Sequence, residues 1–143
     1  MMMPWSRLAP ILLVCCLTAP VKPAFATADL QTSLTIRNDG GEPLKCVILF
    51  GHWVTSDIAD IAPGRSGDVK IMRAAKDGAL YVPRFDGRHM MIERIACGRT
   101  TGWWESIGDV PLLPLREKAE AASETRCKLG EHAVCTAPQP LTP

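Results

Sequence analysis

The chain of 143 residues contains no C-x-x-C and no C-x-x-C-H, the local signatures of thiol redox catalysis and of attached haem. One tyrosine and three histidines leave general acid–base catalysis little to work with. None of Ser33, Ser56, Ser66, Ser106 or Ser123 lies in G-x-S-x-G, the strand-turn-helix setting of an activated serine. His52 is close in sequence to Asp57 and Asp60, but a triad is a spatial object that such spacing does not establish. Net charge is only +1, so the chain lacks the electrostatic footprint of a nucleic-acid or anionic-membrane binder. These absences point away from catalysis and towards a binding or accessory role.

Long apolar runs are equally scarce. The one at the start, Leu8 to about Leu17, follows a single positive charge at Arg7 and is too short to span a bilayer. It closes on Ala24-Phe25-Ala26, whose small residues suit a cleavage pocket, so residues 1–26 read as a secretory signal peptide. An acylated Cys15 or Cys16 is the competing exit, disfavoured by the bulk of Val14. The remaining 117 residues, from Thr27, suffice for one core and keep 14 of the 16 basic and all 15 acidic residues.

Four cysteines remain: Cys46, Cys97, Cys127 and Cys135. An even number in an oxidising compartment predicts two disulfides with three connectivities open, and the spacings favour Cys46–Cys97 and Cys127–Cys135. Cys127-x4-His132-x2-Cys135 is a weaker zinc pattern, lacking a fourth ligand and competing with oxidation.

Between residues 31 and 107, period-2 alternation and turn residues dominate. Leu34 and Ile36 alternate with polar neighbours, and Asn38-Asp39-Gly40-Gly41 turns the chain. Leu44 to Phe50 is apolar at nearly every position, which predicts a central strand with Leu44, Cys46, Ile48 and Phe50 on one face. Further turns fall at Pro63-Gly64, Lys76-Asp77-Gly78 and Phe85-Asp86-Gly87-Arg88, and Thr101 to Ile107 reads as a last strand. Six or seven short strands without helical periodicity predict an all-β domain over residues 27–110. The expected form is a small sandwich whose SDIADIAPGRSGDVKI stretch resembles the edges of immunoglobulin-like modules.

The composition shifts at Pro111. Good helix formers from Glu117 to Lys128 predict a short helix within a C-terminal tail, residues 111–143, clasped by Cys127–Cys135 and unstructured over TAPQPLTP.

Two constellations remain. On a strand from His89 to Cys97, strict alternation puts His89, Met91, Glu93, Ile95 and Cys97 on one face and Met90, Ile92, Arg94 and Ala96 on the other. His89 and Met91, with Met72 and His52 from neighbouring strands, would offer Cu(I) an imidazole–thioether set. The set resembles the His/Met chelate of periplasmic copper chaperones with a cupredoxin-like fold, though Trp53 follows His52 where that chelate has methionine. The plainer reading makes Met90 a core residue and His89 and Met91 half-exposed positions at a hairpin start. Trp103, Trp104 and Tyr81 form the second constellation, the composition of an interface anchor for a protein partner. The sequence thus predicts an exported, non-catalytic binding or accessory protein without cofactor. The alternatives are copper binding in the periplasm and inhibition of an enzyme through the disulfide-held loop Glu131 to Val134.

Overall fold

A computed structural model describes residues 28–118 and 120–141; the expected signal peptide and the last two residues lie outside them. Ten strands follow one another: β1 (Leu30–Asn38), β2 (Leu44–Phe50), β3 (Thr55–Ile61), β4 (Ser66–Arg73), β5 (Leu80–Pro83), β6 (His89–Arg99), β7 (Gly108–Asp109), β8 (Ala122–Leu129), β9 (Ala133–Cys135) and β10 (Gln139–Pro140). Among the described residues, helix is confined to α1 (Leu113–Glu117) and two 3-10 turns.

The strands form one hydrogen-bonded path, β10-β8-β1-β4-β5-β6-β2-β3, with β7 added to β6 and β9 to β8. Leu34 and Ile36 of β1 share a core with Leu44, Cys46 and Ile48 of β2, although three strands lie between β1 and β2 along the path. The sheet therefore curls until its inner faces meet. Strand β6 is where it turns: His89 to Met91 pair with β5, and Ile92 onward pairs with β2. Each large aliphatic sealed in this core contributes about 1.5–3 kcal/mol by leaving water.

Bulges decide which side chains reach that core. Opposite β6, Leu49 pairs with Arg94 but Phe50 pairs with Ile92, leaving Glu93 as an extra residue. The bulge resets the alternation, so Ile92 and Ile95 both face inward, and Ala96 packs against Val47 and Leu49 on the outside. The uninterrupted alternation expected of residues 89–97, with Ile92 and Ala96 on one face, is corrected by this one residue. A second bulge, at Ile58, interrupts the β2–β3 ladder.

The two bridges join Cys46 to Cys97 and Cys127 to Cys135, each pair directly opposite on neighbouring antiparallel strands. The first separates its cysteines by 51 residues and is worth on the order of 4 kcal/mol in the chain-entropy model.

Beyond Pro111 the chain departs from the helical expectation. The helix occupies Leu113–Glu117, and Glu117 to Lys128, expected as helix, is mostly strand β8. Ser123, Thr125 and Cys127 alternate inward along β8, which pairs in parallel with β1 and supplies hydrogen bonds that outweigh a weak alanine-based helix propensity. Leu112, Leu115, Cys127 and Ala133 join the common core, so this segment is packed into the sheet. Gln139–Pro140, expected to be unstructured, pairs with β8. Thr101 to Ile107 is not a strand either. Gly102 takes a left-handed φ of 66°, and Trp103–Glu105 form a 3-10 turn before β7.

Among the described residues no helix is long and apolar enough to cross a membrane.

Candidate functional site

The outer face of β2 and β6 is apolar where an outer face would ordinarily be polar. Val47 and Leu49 of β2 are buried there with Ala96 of β6, and Trp103 lies over them as a half-buried lid. The indole N–H of Trp103 donates to the Lys45 carbonyl at 2.9 Å, which fixes the ring over the strand. Trp104 stands edge-on to Trp103, centroids 4.7 Å apart, and is 62% exposed. Further along, a groove of about 610 Å³ is lined by Leu49, Phe50, His52, Trp53, Glu93 and Arg94. Its most prominent wall is Trp53, 87% exposed at the tip of the β2–β3 hairpin.

That tip is conformationally unusual. His52 and Trp53 both have left-handed backbones, with φ of 63° and 64°, and the Phe50 N–H donates to the Val54 carbonyl across them. Consecutive positive φ values in a tight hairpin favour Asn-Gly or Gly-Gly; for residues with a Cβ each costs about 1–2 kcal/mol. A strained turn that carries an unburied indole gains nothing from packing that ring. Ion pairs flank the apolar strip: Arg94 with Asp109 at 2.6 Å, and Lys45 with Asp57 at 3.4 Å.

The sequence-derived candidates divide among three places. Trp103 and Trp104 belong to this face, but they follow one another on a 3-10 turn and so are not split between opposite sides of a strand. Tyr81 does not belong to it. It is buried on the outer surface of β5, only 4% exposed, which corrects its reading as an interface residue. Its hydroxyl donates to the Asp29 carboxylate at 2.5 Å, and the His89 ring stacks on it at 4.0 Å. That hydrogen bond, with another from the Ala75 N–H, holds Asp29 below the usual carboxylate range, and the same bond pushes Tyr81 up.

Met72 pairs with Tyr81 and Tyr81 with Met91, so the two methionines flank the tyrosine on one face, which His89 shares two residues from Met91. His52, the fourth candidate copper ligand, lies instead in the Trp53 groove. Met90 packs partly buried against the core beside Ile92.

The remaining candidates are dispersed. Among the described residues no hydrogen bond links His52 with Asp57 or Asp60. Cys127 and Cys135 are bonded to each other, so the zinc pattern with the exposed His132 has no free thiolate. The segment Glu131 to Val134 runs from the short turn after β8 into β9, where the Ala133 N–H donates to the Ser106 carbonyl. A Cβ on Gly108 would lie 1.6 Å from the Ala133 carbonyl oxygen, so only glycine permits that contact.

No family model, no curated protein and no solved structure matches the chain. Trp53, which follows the most apolar strand, is outside the interface set of Trp103, Trp104 and Tyr81 expected from the sequence. The available signal was His-Trp at a tight turn where Asn-Gly would be expected.

Proposed function

We propose that this chain is an exported, non-catalytic accessory protein, built on a small immunoglobulin-like β-sandwich, that grips a protein partner through the Trp53–Trp104 face. The observation that carries the reading is the exposed indole held on two consecutive left-handed non-glycine residues. Strain of that kind persists where function requires it. An apolar strip with ion pairs along its margins has the anatomy of a protein interface, and tryptophan is the residue most enriched where binding energy concentrates. The occupant is a protein surface that inserts an apolar side chain beside Trp53. Two disulfides support export, because such bonds persist in oxidising compartments.

The test is photo-crosslinking from position 53 in an extract of the exporting compartment, followed by affinity measurement on the captured protein. Trp53→Ala should weaken binding by about 30-fold or more, the size of an interface hot spot, with unchanged thermal stability. Equal affinity of wild type and variant for every captured protein would end the reading.

One observation favours a second reading, Cu(I) binding: Met72 and Met91 flank Tyr81 on the face that bears His89. Competition with a coloured Cu(I) chelator decides it. Withdrawal of one equivalent by the wild type and none by Met91→Ala would move the function to copper handling; equal curves would remove this reading.

A further inference from the structure

The two disulfides are neighbours in space. The sulfurs of Cys97, Cys127 and Cys135 all lie within 4.8 Å of one another, although the first belongs to one bridge and the other two to the second. Cys46 does not meet that limit with all three, so Cys97 is the sulfur of its bridge that faces the neighbouring one. Access is unequal as well. Cys46, Cys97 and Cys127 are buried at 0%, 0% and 1% exposure, whereas Cys135, on the short strand β9, is partly exposed.

We infer that the paired bridges form a thiol–disulfide exchange site, entered at Cys135 by an external dithiol and continued inward by Cys127. Exchange proceeds by attack of a thiolate on one sulfur of a bridge, with the other sulfur leaving. The incoming thiolate bonds to Sγ of Cys135, the Cys127–Cys135 bond breaks, and Cys127 leaves as a thiolate. That thiolate is already within 4.8 Å of Sγ of Cys97. It attacks there, the Cys97–Cys127 bond forms, and Cys46 departs as a thiolate and takes up a proton. The second thiol of the dithiol then displaces Cys135, which leaves as a thiolate and is protonated in turn. The dithiol is oxidised to a disulfide, and the chain has gained two electrons and two protons. It retains one bridge, Cys97–Cys127, which ties β6 to β8 where the original bridges tied β6 to β2 and β8 to β9. The absence of C-x-x-C does not oppose this, because the juxtaposition is made by the tertiary fold.

The oxidised full chain is treated with one equivalent of reduced dithiothreitol, acid-quenched, alkylated and mapped without reduction. The expected products are alkylated Cys46 and Cys135 together with a Cys97–Cys127 cross-linked peptide. Alkylation of Cys127 and Cys135 with Cys46–Cys97 intact would overturn the inference, because the second bridge would then be out of reach. So would alkylation of Cys46 and Cys97 alone. A variant approaches the same contact from the other side. In Cys46→Ala the freed Cys97 should attack the neighbouring bridge, so part of the free-thiol label should move to Cys135; label confined to Cys97 would also overturn it.

Discussion

Two hairpin turns of this molecule solve one geometric problem in opposite ways. Between β5 and β6, Arg84 to Arg88 turn with Gly87 at a φ of 77°, and the Asp86 carboxylate accepts from the Arg88 N–H. Between β2 and β3, the left-handed positions are filled by His52 and Trp53. Both turns expose an aromatic ring, Phe85 at 98% and Trp53 at 87%. Only the second spends conformational energy to hold its ring in place. A turn that follows the local rules reports on folding, and one that breaks them without a packing gain points to a contact outside the chain.

The strand that receives both hairpins offers the largest perturbation. Ile95 is fully buried on β6, so Ile95→Ala should cost about 2–5 kcal/mol by lost burial and cavity formation, read from urea denaturation. Met90→Ala, on the partly buried end beside the Gly87 turn, should cost less. A reversed order would mean that the turn end of β6 anchors the core.

Next comes the exchange of turn chemistry. Replacing His52 and Trp53 together by Asn and Gly should raise stability by about 1–2 kcal/mol, since the left-handed penalty is relieved and little packing is lost. Partner binding should vanish in the same variant, a stability–activity trade-off. A drop in thermal midpoint would mean that the indole supports the fold.

The reciprocal change at Gly87 is smaller. A Cβ there meets nothing within 4 Å, so Gly87→Ala isolates the backbone term and should cost about 1 kcal/mol by calorimetry. A neutral result would weaken the strain argument at Trp53 as well.

The smallest effect lies on the outer face of β5, beneath His89. Asp29 is depressed below its ordinary value, first by the Tyr81 hydroxyl and then by the Ala75 N–H. Its contribution to stability is therefore present above the ordinary carboxylate range and lost as pH falls through its folded value. Denaturation midpoints of wild type and Asp29→Asn should differ at neutral pH and converge in acid. A gap that persisted at low pH would assign the effect to shape.

Much of the fold was legible because strands and turns are written locally. Alternation at Leu34 and Ile36, the apolar run from Leu44 to Phe50 and the Asp86-Gly87 turn each need only adjacent residues to be recognised. The bridges Cys46–Cys97 and Cys127–Cys135 agree with the spacing for a related reason, since each spans one pair of neighbouring antiparallel strands. The site was less legible. Trp103 and Trp104 stood out by composition, but their role depends on Gly102 turning the chain back over Lys45.

The sequence by itself determined that the chain is β-rich, that it turns near Gly40, Gly64, Gly78 and Gly87, and that Leu34, Ile36, Leu44, Cys46, Ile48 and Phe50 seek the interior, because these follow from side-chain period and backbone sterics. Only the tertiary structure decided three further matters. The extra residue at Glu93 sent Ala96 outward and Ile95 inward, which depends on the register of the partner strand. The parallel pairing of β1 with β8 turned a helix-forming composition into strand, because hydrogen bonds to a distant segment outweigh local propensity. The approach of two bridges within 4.8 Å arose because β6 and β8, far apart in sequence, meet across one core.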